Sequence, residues 1–280
     1  MPPRKLFLVL FIFLHSTIWA SAKQPGSDSI FKVLAFYTAV NDPAHISFVK
    51  EANAWFSVMA TQHHFIYDTT RDWRKMTLDT LANYHVILFL DSRPELFQQR
   101  IAFEQYMRKG GAWMGFHFAG FALTSSSFPQ DWDWYHNIFL GSGQYRGNTW
   151  RPTPARLRNE QPAHPASRNL PPVFLSAANE WYSWENDLRK NADIEILLSI
   201  DSSSFPLGTG PKPHEIWKNG YYPVVWSNKK YKMVYINMGH NDMDYERGNN
   251  NPLSSSFSAE WQNKMLLNSL LWLGRNNESY

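Results

Sequence analysis

From Ile30 onward, short apolar runs alternate with amphipathic stretches, the pattern of βαβ units, and this leaves few architectures open. Phe31 to Tyr37 reads as a first strand. In His45 to Gln62, Ile46, Val49, Ala52, Trp55, Phe56 and Met59 recur at spacings of three and four, as one face of a helix requires. Phe65 to Tyr67 and Val86 to Leu90 read as strands. A second helix runs from Leu96 to Lys109 and stops on Gly110-Gly111. The strand Ala112 to Phe118 follows at once. Ile194 to Ile200, Tyr222 to Trp226 and Lys232 to Met238 supply further strands, and a helix from Ala259 to Leu273 closes the chain. The expected fold is α/β, a mostly parallel sheet with helices on both faces. The stretch after Gly120, with a polar turn at Thr124 to Ser127 and prolines between Pro152 and Pro172, reads as a variable insert.

The first 22 residues read as an address. Arg4 and Lys5 precede an apolar stretch from Leu6 to Ile18, and Ala20-Ser21-Ala22 fits a small-x-small cleavage site. About 13 apolar residues fall short of the roughly 20 that span a bilayer. The expectation is residues 1–22 as signal peptide cut after Ala22, 23–29 as linker, 30–275 as one domain and 276–280 as tail. The mature protein would be periplasmic or secreted, with no membrane association after cleavage. Apolar residues make up 44% and charged residues 18%, enough to bury a core and too little charge to stay unfolded. A net charge of +3, part of which leaves with Arg4 and Lys5, argues against a nucleic-acid partner.

The chain has no cysteine, which removes disulfides, thiolate metal sites, a lipid-modified leader and any cysteine nucleophile. It also lacks a phosphate-cradling G-x-x-x-x-G-K-[ST] loop, a G-x-G-x-x-G turn, a G-x-S-x-G elbow and an H-E-x-x-H pair. No nucleotide or flavin cofactor is expected. In an open parallel sheet, ligands bind beyond the carboxyl ends of the strands. Three histidines fall there: His45 beyond the first strand, His117 ending the strand from Ala112, and His240 following Met238-Gly239. Together they could ligate a divalent metal such as zinc or manganese, or act as general acid and base; each taken singly also reads as a partly buried structural residue. Glu180 is a candidate to orient or ligate. Asp91 reads as a helix-start cap, Asp242 and Asp244 as turn residues, and Lys229, Lys230 and Lys232 as a solvated hairpin turn. Trp132, Trp134, Tyr135, Trp150, Trp181, Tyr182 and Trp184 form an aromatic group that either packs the insert on the sheet or offers stacking surfaces to sugar rings.

These residues resemble the ThuA-like (trehalose utilisation) family, whose fold is similar to class I glutamine amidotransferases, with flavodoxin-like layering. The resemblance runs from about Phe31 to Gly274. It rests on Phe31 to Leu34, the His45 position, Tyr106 to His117, Ala163 to Ala166 with Leu170-Pro171, Asn179 to Tyr182, Tyr222 to Trp226 and Met238 to His240. It places His117 near where an amidotransferase presents its cysteine, and with no cysteine in the chain thioester chemistry on glutamine is impossible. The sequence departs from the family around Gly141 to Asn148, where Arg146 or Asn148 stands near an expected histidine, and at Asn241 and Asp242 after His240. The resemblance implies carbohydrate utilisation, with a small carbohydrate or glycan as partner. His117, His240 and Glu180 would be catalytic, His45, Trp181 and Tyr182 would contact substrate, and His45, His117 and His240 would hold the metal. A non-catalytic glycan-binding module of an exported assembly is the alternative, and a structural protein without a ligand is a third. The sequence leaves the oligomeric state open.

Overall fold

The computed structural model describes residues 30–123, 132–149, 151–201 and 221–275. The leader, the linker, the turn at Thr124 to Ser127, Trp150 and the tail lie outside them. In chain order the elements are β1 (Lys32–Phe36), α1 (Pro43–His63), β2 (Ile66–Thr70), α2 (Leu78–Leu81), β3 (Val86–Phe89), α3 (Phe97–Arg108), β4 (Ala112–Phe116), β5 (Tyr145–Asn148), β6 (Arg156–Asn159), β7 (Val173–Leu175), β8 (Tyr182–Trp184), β9 (Ile194–Ile200), β10 (Tyr222–Asn228), β11 (Tyr231–Ile236) and α4 (Glu260–Gly274). A nine-stranded sheet has the order β2-β1-β3-β4-β11-β10-β9-β6-β7. The first five strands of that order are parallel, and the remaining four join by antiparallel pairing.

Alternation along the strands sorts side chains to two cores. Val33, Ala35, Val86 and Leu88 pack with Phe48, Ala52 and Phe56 of α1 and Met265, Leu266 and Leu270 of α4. Leu34, Phe36, Ile87 and Phe89 turn to the other face, against Phe103 and Met107 of α3 and the rings of Trp132, Trp134, Tyr135 and Phe139. Helices therefore cover both faces, as the sequence pattern required. Central strands buried on both sides read as continuous apolar runs, which explains Val86-Ile87-Leu88-Phe89.

Local chemistry sets the helix ends. Asp42 caps α1 by accepting from the Ala44 N–H (2.8 Å), and Pro43 at the first helical position loses no bond. The helix stops at His64, in the left-handed region at φ 57°. Ile46, expected on the inner face, is instead 40% exposed; the inner stripe is Ala44, His45, Phe48, Val49, Ala52 and Phe56. The helix α3 runs from Phe97 with Leu96 as its cap residue, as the sequence pattern suggested to within one residue, and the Gln99 side chain accepts from the Leu96 N–H (3.2 Å).

Asp91 caps no helix. Its carboxylate accepts from the Thr38 N–H (2.7 Å), the Thr38 hydroxyl (2.9 Å) and the Ala39 N–H (2.6 Å), clamping the loop between β1 and α1. The stretch after Gly120 is no appended insert either. From it, β6 and β7 extend the main sheet beside β9, and β5 pairs with β8 in a separate two-stranded ribbon. Lys229 and Lys230 do form the β10–β11 turn, tied to the Ala192 carbonyl and the Asp193 carboxylate.

Candidate functional site

The carboxyl ends of β1, β4 and β11 lie side by side through the order β1-β3-β4-β11, and the segment leaving each delivers one histidine to the same place. His45 stands in the first turn of α1, His117 directly follows β4, and His240 follows β11 through Met238 and Gly239. Their ring centroids are 5.0 to 5.5 Å apart. All three are buried, His117 completely. The backbone there is bent to achieve this: His117 sits at φ 39°, its carbonyl accepting from the Tyr235 hydroxyl (2.7 Å), and Gly239 sits at φ 150°. A Cβ at Gly239 would lie 2.9 Å from the Cβ of His117, so the two loops approach this closely only with glycine.

Two carboxylates complete the group. Glu180, just before β8, places Oε2 3.3 Å from Nε2 of His117 and 3.9 Å from Nε2 of His240. Its Oε1 accepts from the Asn148 amide at the end of β5, so the residue standing near the expected family histidine is part of the site. Asp42, the α1 cap, places Oδ2 3.5 Å from Nε2 of His240. The sequence reading missed Asp42 because it started the helix at His45; aspartate before a proline at a helix start was the available signal. It also missed Asn237, whose side chain exchanges two hydrogen bonds with the backbone of Tyr182 (3.2 and 2.8 Å) and so holds that ring against His117, centroids 3.8 Å apart.

Burial and mutual charge divide the titrating groups. Burial pushes the His45 imidazole well below its usual range, and the neighbouring His240 and His117 add to this. Burial also lowers His117, against the opposing pull of Glu180. His240 runs the other way: burial disfavours its cation, but the Asp42 hydrogen bond and the charges of Glu180 and Asp42 carry it above the ordinary value. Burial favours the neutral acids, yet Glu180 is held low by His117 and His240, and Asp42 by His240 and His45. Burial thus favours the neutral forms of His45 and His117, while the neighbouring carboxylates favour the cation of His240. Nε2 of His45, both ring nitrogens of His117 and Nδ1 of His240 are buried without an aligned hydrogen-bond partner among the described residues. Buried polar atoms are rarely left so, and the exceptions concentrate where a ligand or reacting group belongs.

The donor atoms of Asp42, His45 and His240 lie within 4.8 Å of one another. Two imidazoles and a carboxylate are a fitting set for zinc or manganese, whose bonds of about 2.0–2.2 Å bring such atoms about 3 to 4 Å apart. The expected set contained His117 where this one contains Asp42; His117 lies alongside, oriented to Glu180 instead.

The aromatic residues sort differently from expectation. Trp181, expected on the sugar side, is fully buried in the core beneath the sheet, its indole donating to the Thr153 carbonyl (2.9 Å). Packing against the core accounts for it, as it does for Trp132, Trp134, Tyr135 and Trp184, all at most 8% exposed. Tyr182 is buried too but forms a wall of the histidine cluster. Asp242 is engaged by Arg151 (2.7 Å to each oxygen), and Asp244 bonds Asn249 in its own turn.

A family model described as ThuA, trehalose utilisation, matches residues 32–272. A ThuA-like protein of Bacteroides uniformis, known from its crystal structure, is 36% identical and superposes with a TM-score of 0.76 over 87% of this chain and 91% of that one. A second, from Parabacteroides merdae, shares 15% identity and the fold, with a TM-score of 0.61 over 90% and 93% of the two chains. No curated protein matches the chain. The family match spans every strand of the sheet and all five clustered side chains, and the chain belongs to the ThuA, trehalose utilisation, family.

Proposed function

We propose that this is an exported protein of carbohydrate utilisation that acts on a sugar or oxidised sugar derivative, by acid–base chemistry assisted by a divalent ion. One observation carries this reading: five ionisable side chains converge at one strand edge, four of them buried, with ring nitrogens that no described residue satisfies. Asp42, His45 and His240 would hold the ion, which would supply Lewis-acid polarisation of a hydroxyl or carbonyl oxygen. His117 is the proton acceptor: it lies against Glu180, outside the proposed ligand set, and burial disfavours its cation. Glu180 lies 3.3 Å from it, oriented by Asn148, and would stabilise the imidazolium formed when His117 takes a proton. Tyr182 closes one side and keeps the His117 ring from turning. Burial of Trp132, Trp134, Trp181 and Trp184 supports this reading over a glycan-binding surface built from them, which needs exposed rings.

Elemental analysis of untagged protein tests it. About one equivalent of zinc or manganese is expected, lost in His240→Ala and Asp42→Asn variants that retain the fold. No metal in any of them, even after reconstitution with excess divalent ions, removes the metal from the proposal and leaves acid–base chemistry to a saccharide turnover screen. Turnover that survives His117→Ala would remove that as well. N-terminal sequencing of the exported protein should begin at Lys23.

A further inference from the structure

His240 and Glu180 come from different parts of the chain, one after β11 and the other before β8, and they meet at 3.9 Å without bonding each other directly. The residues beside them share a single partner. Asn241 and Asn179 each direct a side-chain carbonyl oxygen at the hydroxyl of Ser256, at 2.8 and 3.1 Å. The orientation of both amides is fixed by their other bonds. Asn241 Oδ1 also accepts from the Ser256 N–H (2.9 Å), while its Nδ2 donates to Ser47 Oγ (3.0 Å) and Glu51 Oε2 (2.8 Å) on α1. Asn179 Nδ2 donates to the Ala177 carbonyl (3.0 Å). Gln262 of α4 closes the set, donating to the Ser256 carbonyl and accepting from the Ala177 N–H (3.1 Å). Ser256 is 1% exposed, and Asn179, Asn241 and Gln262 are wholly buried.

A serine hydroxyl has one proton and here faces two acceptors, so it is shared between them. In a dry interior such a shared bond is costly to break, because both carbonyl oxygens would then lose a donor. We infer that Ser256 is a positioning residue, whose hydroxyl ties the segments carrying Glu180 and His240 together and, through Asn241, to the helix that carries His45. This rests on the proposal that those three side chains work in one site. It adds a residue that hydrogen-bonds none of the reacting groups among the described residues and lies in a different segment of the chain from each of them.

The test uses the full chain with 15N-labelled histidine, observed without metal at one pH, and then titrated with zinc against a chelator. Ser256→Ala is compared with Ser269→Ala, which removes another buried serine hydroxyl, one bonded within its own helix to the Met265 carbonyl (2.8 Å). Ser256→Ala should move the imidazole nitrogen resonances of His117 and His240 and weaken zinc binding at least tenfold. Ser269→Ala should leave both as in the wild type. Resonances in Ser256→Ala that coincide with the wild type overturn the inference, as do shifts of equal size in Ser269→Ala. A wild-type chain that takes up no zinc removes the metal from the proposed function, and the resonances still decide the role of Ser256. If Ser256→Ala does not fold, Ser256→Cys, close in shape with a weak donor, enters the same comparison.

Discussion

Gly239 and Asp91 support the site through the backbone without contributing a reacting atom. A methyl at Gly239 would collide with the Cβ of His117 and would occupy a backbone conformation that L residues rarely adopt. Gly239→Ala should cost roughly 1–3 kcal/mol in urea unfolding and displace His117. Asp91 holds a loop in which Ala39 and Asn41, neither a glycine, sit at φ 52° and 69° just before Asp42. Asp91→Ala would leave two part-buried N–H groups without their acceptor, and a loss of about 1–2 kcal/mol, with weaker metal binding, is the expected outcome. His45, His117 and His240 were legible in the sequence because each comes after a strand that the apolar pattern located, whereas Glu180 stood out only as a carboxylate in the Asn179 to Tyr182 stretch, whose strand the pattern did not reveal. Asp42, Asn148 and Asn237 act through side-chain bonds across the fold, which spacing along one chain does not encode.

At the scale of elements, periodicity located the central strands and the three long helices, because there the burial is continuous and the pattern repeats. It missed β6 and β7: Arg156-Leu157-Arg158-Asn159 buries only Leu157, and a short strand at a sheet margin has a polar face to solvent. The aromatic stretch Trp132 to Leu140 contains a π-helical turn over Trp134–Phe139, which holds His136 buried with neither ring nitrogen bonded among the described residues. Burial, together with Arg93 and Arg100, pushes His136 down to about 3. Since the unfolded chain takes up a proton near pH 6.5 and the folded one does not, this histidine favours unfolding progressively as pH falls from 6.5 toward 3. At pH 5 the difference is about 2 kcal/mol. Urea unfolding at pH 7 and pH 5 should show His136→Leu losing less stability than the wild type by about that amount.

At the scale of the molecule, the sheet order explains why one edge gathers the chemistry. A parallel half and an antiparallel half meet at β11, which pairs with β4 on one side and β10 on the other. The strand that carries His240 to the site is thus also the seam of the whole sheet. A destabilised seam should show itself at both places: Val234→Ala, in the middle of β11 and fully buried, is expected to cost about 2 kcal/mol or more and to weaken metal binding in step with stability, checked by unfolding and zinc titration on the same samples.

The pairing of β11 with β4 has a further consequence in time. Residues 112 to 116 must wait for residues 232 to 236 before the middle of the sheet can close. Contacts so distant along the chain form slowly, since a long loop must be ordered before any pairing rewards it. A nascent chain that has not yet yielded residue 240 has no site at all. If the protein is threaded through a membrane unfolded, from its amino end, the capacity to bind appears only after the last strand has emerged and found its neighbours. Uptake of a metal ion would then mark the end of folding, and an ion met too early would find only scattered histidines.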